Sequence, residues 1–376
     1  MAIVGGVLAG LLVLFTLRRC FLIAASALPA RSAAARATPP VVVTLAARDE
    51  EGRLGPLLAA FDRLEYPGNA VEFVLVDDGS RDRTGAELSA WAESRTKARV
   101  LSIPASVGKA EALNRAMALA PGAELVAVYD ADLRPRPDSL AILAAAFADP
   151  RVGAASGYRR PSNARRTPIA AYAALEAWVH QLVTQLGKER CGWNPTTMGG
   201  HCVYRRAALD EVGGFPTRAL GEDIELSLGM VAAGWRTRFL IDALADGLVV
   251  ESLARYWNQR TRWTRVLYDS SKKASRLEGW MVAAGYSDRI VFLLAIAFAA
   301  AGRMSAAWAG LYLVPPVLAI ASALSRARAG PGFALYLAAW ILPLFALDLA
   351  VTVVASVNGL LRRRVCWPTG AEKRAV

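Results

Sequence analysis

The chain has 376 residues, of which 55% are hydrophobic and 20% charged, so it is too apolar for an ordinary soluble enzyme and too charged for a pure transporter. Its 44 basic and 32 acidic residues give a net charge of +12, which suits nucleic acid, an anionic membrane face or a phosphorylated substrate; the hydrophobic ends favour the last two. Cys20, Cys191, Cys202 and Cys366 form no CxxC pair, and His180 and His201 are the only histidines, which argues against a zinc site and a disulfide framework and for a reduced, cytosolic catalytic domain.

In chain order, residues 2–17 carry no charge and are followed by Arg18 and Arg19. A span needs ~20 residues, or a few fewer where arginines snorkel. A cleaved signal peptide would carry its basic residues before the apolar run, so residues 1–29 read as an anchor. The positive-inside rule keeps Arg18 and Arg19, and the domain after them, on the cytoplasmic side. Thr38-Pro39-Pro40 closes an Ala/Arg-rich linker, and a catalytic domain is expected over 40–250. There the β-branched run 41–46 predicts a buried parallel strand, with further strands at 71–78, 99–103 and 124–132. Helical patterns at 56–64, 84–94 and 109–120 alternate with them, giving an α/β fold with a mostly parallel sheet. In such sheets ligands gather at the carboxyl ends of the strands, where two acidic clusters fall.

Residues 251–288 come next, and 251–276 hold seven basic and two acidic residues with Tyr256, Trp257 and Tyr268. Alone this reads as a nucleic-acid or anionic-lipid patch; beside apolar segments it reads better as interfacial helices. The region 289–361 contains three nearly charge-free segments, 290–302, 305–324 and 333–361, giving two or three spans. Arg362, Arg363 and Arg364 favour an even number. Pro315-Pro316 interrupts the second segment. Asp348, inside the third, is either at a helix seam or interface, or part of a polar acceptor path.

Several residue groups carry chemistry, each beside a plainer reading. Asp130 and Asp132, at i and i+2, share one face of an extended strand end and can hold a divalent ion through oxygen; they could also merely solvate a turn before Pro135 and Pro137. Asp77-Asp78-Gly79-Ser80 would make an Asp-Gly turn in any case. Lys109 opens a helix, where it can meet phosphate or simply lie on the surface. Glu222 and Asp223 begin the amphipathic stretch with Ile224, Leu228 and Val231, so they can cap a helix or supply a base. Gln259, Arg262 and Trp263 fall on one helix face and can meet a diphosphate and a sugar ring.

In this order, Val76-Asp77-Asp78-Gly79-Ser80, Asp130-Ala131-Asp132, Gly221-Glu222-Asp223 and Gln259-Arg260-Thr261-Arg262-Trp263 resemble the motif set of the membrane-bound family-2 glycosyltransferases, the group of cellulose, chitin-oligosaccharide and hyaluronan synthases. The resemblance implies a GT-A-type catalytic domain flanked by transmembrane helices. It makes Asp130-Ala131-Asp132 the DxD motif that binds Mg²⁺ or Mn²⁺. It adds Glu50, Asp78 and Lys109 to the donor site and makes Asp223 the general base. Glu222, Gln259, Arg262 and Trp263 then serve the acceptor and diphosphate, the last three as the QxxRW motif. The implied activity is inverting transfer from a UDP-sugar to a glycan hydroxyl, in polysaccharide or oligosaccharide synthesis. Ceramide- and hopanoid-type glycosyltransferases carry related motifs, so a lipid acceptor is the alternative; a non-catalytic membrane nucleotide-binding protein is a second. Membrane lipids are expected partners and nucleic acid is not. The implied location is a bacterial inner membrane with the catalytic domain cytoplasmic. In Gly199–Phe215, which also resembles the family, His201 replaces a usual small residue and either meets the acceptor or fills space.

Overall fold

A computed structural model describes residues 2–29, 38–219, 221–271 and 276–360; the arginines at 362–364 and Cys366 lie outside these. The chain divides into a sheet unit, Arg31–Ser162 with Asn194–Leu248, and a helical unit, Met1–Ala30, Asn163–Trp193 and Val249–Val365. Helix α1 (Ala2–Ala25) opens the helical unit. The sheet unit follows with β1 (Val41–Ala47), α2 (Gly55–Phe61), β2 (Val71–Asp78), α3 (Thr84–Glu93), β3 (Ala98–Ile103), α4 (Lys109–Ala118), β4 (Leu125–Val128), β5 (Arg134–Pro135), α5 (Ser139–Ala145) and β6 (Val152–Pro161). Helices α6 (Pro168–Val179) and α7 (Leu186–Cys191), joined by a π-helical turn at His180–Gln185, belong to the helical unit. The chain returns to the sheet unit with β7 (Cys202–Arg205), α8 (Arg206–Glu211), α9 (Glu222–Ala232) and β8 (Arg236–Gly247). It ends in α10 (Leu253–Ser271), α11 (Arg276–Ala300), α12 (Ala307–Arg326) and α13 (Pro331–Leu360).

Strand β1 lies inside an eight-stranded sheet of order β3-β2-β1-β4-β7-β6-β8-β5. Its unbroken apolar run follows from burial on both faces. Val41, Val43 and Leu45 pack with Leu57 and Phe61 of α2 and Leu140 and Leu143 of α5. Val42 packs on the other side with Val74, Val76 and Leu113. Strands β1 to β4 are parallel neighbours, as expected. Beyond β4 the sheet is mixed: β7 runs antiparallel to both β4 and β6, whereas β8 runs parallel to β6. Sequence periodicity did not disclose β6, β7 or β8. Another difference decides the site geometry: β4 ends at Val128, and Asp130-Ala131-Asp132 lies in a turn closed by Leu133 N–H on the Asp130 carbonyl at 3.1 Å. The two acids are therefore on a turn, not on an extended strand end.

Among the described residues, the helical unit contains three helices long and apolar enough to cross a membrane: 3–25, 307–326 and 331–358. Helix α11 is not among them. Its Val291, Phe292 and Ala295 pack with Leu8, Leu12 and Phe15 of α1 and with Tyr312 of α12. Helix α1 continues beyond the expected end of the apolar run, through Arg18 and Arg19 to Ala25. This is possible because Arg19 is paired with Asp288 of α11 and donates to the Tyr312 hydroxyl at 3.0 Å, so the charge need not leave the bundle. Asp348 is buried and pairs with Arg289 at 2.6 Å, which places it at a helix seam. Residues 163–193, which the sequence pattern leaves inside the catalytic domain, lie with the helical unit. There Tyr172 and Ala173 of α6 meet Tyr256 of α10 and Leu344 of α13.

Candidate active site

The carboxyl ends of β1 and β2 are stitched together by their loops. Asp49 N–H donates to Ser80 Oγ at 3.1 Å and Glu50 N–H to Thr84 Oγ1 at 2.8 Å, while Arg81 N–H donates to Asp49 Oδ1 at 2.9 Å. The Glu50 carboxylate sits near enough to Asp132 to raise the latter's proton affinity. Asp78 is buried, and its carboxylate accepts from Ser106 Oγ at 2.7 Å, Val107 N–H at 2.7 Å and Gly108 N–H at 3.1 Å. It thereby fixes the loop that launches α4, and with it Lys109.

Lys109 is the hub of the cluster. Its Nζ lies 2.7 Å from Asp130 Oδ1 and 3.3 Å from Glu222 Oε1, so it joins the β4 turn to the start of α9. Burial works against its charge, but Asp130, Glu222 and Asp223 outweigh that and hold its pKa above the ordinary lysine value. Asp130 rests on Gly200: a β-carbon there would come within 2.3 Å of Asp130 Oδ2. Asp132 opens to solvent. Protein packed around its carboxyl, and then the charge of Asp130, raises its pKa, an effect that the solvent at its exposed surface tempers. Sequence reasoning missed Arg159, on β6. Its guanidinium lies 3.9 Å from Asp130 Oδ2 and lowers the proton affinity of Asp132 and Asp223. The only sequence signal for it was the Arg159-Arg160 pair closing an apolar run.

Glu222 and Asp223 occupy the first turn of α9, where acids complement the helix dipole. The turn is held from two sides. Thr197 Oγ1 and Ser227 Oγ donate to the Asp223 carbonyl at 3.0 and 2.9 Å. Asn114 pairs through both amide atoms with the backbone of Phe215, at 2.9 and 2.8 Å, anchoring the segment that leads to α9. Burial, then the like charge of Glu222, raises the Asp223 carboxyl to about 6, with Lys109 opposing. That value suits a group that must accept a proton near neutrality. His201 is fully buried with φ at +60°, and its Nε2 lies 3.0 Å from the Ala243 carbonyl. Burial lowers its pKa to about 4, with the Ala243 carbonyl opposing. Of its two readings, filling space is the one its burial supports.

Gln259, Arg262 and Trp263 lie on α10 of the helical unit, as the spacing predicts, and Trp263 is 41% exposed. Arg260, between them in sequence, stacks on Trp263 with its guanidinium carbon 4.5 Å from the ring centroid.

Among the described residues no cluster of three or more His, Cys, Asp or Glu side chains forms a metal cage. The fit of a divalent ion rests instead on Asp130 and Asp132: two close carboxylates, one at the surface and raised in proton affinity by the other. Mg²⁺ and Mn²⁺ suit such a pair, because they complete their coordination with water and substrate phosphate oxygens.

Residues 42–213 match the family described as Glycosyl transferase family 2. The chain is 31% identical over 231 residues to the beta-monoglucosyldiacylglycerol synthase of Trichormus variabilis, covering 60% of this chain and 48% of that protein. It is 30% identical over 234 residues to an N-acetylglucosaminyltransferase of Rhizobium meliloti, covering 60% and 54%. It thus spans about half the length of these curated relatives. The structure is similar to that of the mannosyltransferase PcManGT from Pyrobaculum calidifontis in complex with GDP-Man and Mn²⁺, with a TM-score of 0.65 at 24% identity, over 96% of this chain and 99% of that one. Residues 42–213 are thus similar to family-2 glycosyltransferase domains, and the fold is GT-A-like.

Proposed function

We propose that the protein is a membrane-anchored, inverting glycosyltransferase that moves a sugar from a UDP-sugar to a hydroxyl of a growing glycan. The observation that carries this reading is the gathering of Asp130, Glu222 and Asp223 around Lys109 at the carboxyl ends of the parallel strands. Asp223 accepts the proton of the acceptor hydroxyl as its oxygen attacks the anomeric carbon from the face opposite the diphosphate. The bond from that carbon to the diphosphate oxygen breaks, and the electron pair leaves with UDP. Asp130 and Asp132 would hold Mg²⁺ or Mn²⁺, which when bound supplies positive charge against the leaving diphosphate. Lys109 adds a fixed cation beside them, and Glu222 orients it from the α9 side. On α10, Trp263 offers its indole to an acceptor sugar, while Gln259 and Arg262 serve the diphosphate. The three apolar helices support a membrane setting; because UDP-sugars are made in the cytoplasm, the sheet unit is proposed to face that side.

A second reading keeps the chemistry and changes the acceptor to a lipid hydroxyl; the likeness to a glucosyldiacylglycerol synthase favours it. Purified protein incubated with a panel of UDP-sugars, Mn²⁺ and either glycan or lipid acceptors separates the cases. The expected result is donor-specific UDP release and products of several lengths by mass spectrometry. A single one-sugar lipid product would select the second reading. No UDP release with any donor would refute transfer and leave a nucleotide-binding role.

A further inference from the structure

The x position of the QxxRW motif on α10 is tied into the bundle by a buried charge pair. Arg260 Nη2 lies 2.5 Å from Glu176 Oε2 of α6, and both side chains are largely covered. The same Glu176 oxygen accepts from the Tyr256 hydroxyl at 3.0 Å, and Tyr256 is fully buried. That hydroxyl also lies 3.4 Å from Asp348 Oδ1, whose other oxygen meets Arg289 of α11. Arg260 is itself stacked between two aromatics of its own helix, Tyr256 at 5.1 Å and Trp263 at 4.5 Å from its guanidinium carbon. Tyr256, Arg260 and Trp263 stand four and three residues apart, so they line one stripe of α10.

We infer that Glu176 and Arg260 are positioning residues that fix the plane of the Trp263 indole for acceptor binding, an inference that rests on the proposed role of Trp263 above. A tryptophan that is 41% exposed on a surface helix would otherwise sample several rotamers. A guanidinium over its face restricts it to one, but only if the guanidinium is itself held. Glu176 does the holding, from a different helix, and Tyr256 and Asp348 hold Glu176 in turn. Arg260 is the member whose geometry matters most, because its planar group can stack and pair at once, and a lysine cannot.

The test uses the full chain in detergent with donor, Mn²⁺ and acceptor, comparing wild type with W263A, R260K, the doubly neutral E176Q/R260M, and R260K/W263A. Donor KM, acceptor KM and acceptor-independent UDP release are measured for each. The expected result is an acceptor KM raised ~3–10-fold by R260K and by E176Q/R260M, with donor KM and UDP release unchanged. The increase should disappear when Trp263 is already alanine. An effect of R260K that persists undiminished in the W263A background would overturn the inference, since it would show Arg260 acting elsewhere. So would a normal acceptor KM in both R260K and E176Q/R260M while W263A raises it. A W263A variant with normal acceptor KM would bring down the reading of Trp263 as an acceptor platform, and this inference with it.

Discussion

Replacing Asp223 by asparagine separates catalysis from folding more cleanly than any other change in the site. Asn keeps the volume, and the backbone bonds from Thr197 and Ser227 to the residue 223 carbonyl do not involve the side chain. Loss of a general base costs ~10²–10⁴ in rate, so turnover should fall by that factor while donor binding persists. Stability should move the other way. The Asp223 carboxyl is raised from the ordinary aspartate value of 3.8 to about 6, so its ionised form is disfavoured by the fold. Such a group contributes stability below pH 4 and loses it as pH rises through about 6. The full shift would be worth roughly 3 kcal/mol at 1.36 kcal/mol per pH unit, and partial solvent access reduces it to about 1 kcal/mol. The asparagine variant should therefore melt no lower than wild type at pH 7.5, and its advantage should fade as pH falls from 6 to 4. Wild-type kcat/KM should drop on the acid side with a midpoint near 6. The measurements are UDP release across pH and thermal unfolding in detergent. Near-normal turnover in D223N would refute the assignment of the base. A large loss of Tm at neutral pH would refute the account of the carboxylate as strained by burial and by Glu222.

Two more expectations follow from the same geometry. D130N and D132N should each weaken Mn²⁺ binding in the presence of UDP by ~10-fold or more, read by electron paramagnetic resonance as well as by activity. EDTA should silence the wild type, and full activity in EDTA would refute the metal role. G157A should lower Tm, because its β-carbon would lie 2.3 Å from His201 Nε2 and 2.4 Å from the Ala243 carbonyl. Overpacking of this kind costs ~1–3 kcal/mol, and an unchanged Tm would refute the packing of His201 against Gly157.

The parts of the fold legible in the sequence are those in which one element satisfies itself. Strand β1 reads as VVVTLAA because both faces are buried, and α4 and α9 announce themselves by apolar spacing and charged first turns. Strands β6 and β8 were hidden because small residues, glycines and arginines break their pattern, and register shifts interrupt their pairing. Arg18 and Arg19 look like a membrane flank until Asp288, about 270 residues on, supplies a buried partner. No local window contains that fact. Asp78 was singled out for its place at a strand end, and what the structure adds is its three donors from the 106–108 loop.

The site itself was legible as a set of acids but not as a balance of charge. Asp130, Asp132, Glu222 and Asp223, with Glu50 near Asp132, outnumber the two cations described among them, Lys109 and Arg159. A diphosphate carries further negative charge, so this cluster would repel a bare nucleotide sugar. Lys109 is not a passive surface lysine, since it lies between Asp130 and Glu222 and pairs with both. And the excess of negative charge is what a divalent cation at Asp130 and Asp132 would offset. Arg159 was missing from the sequence reading because it approaches from β6, across a sheet whose order is set by β7 lying antiparallel between β4 and β6. The same strand arrangement that concealed it is what brings its charge to the acids.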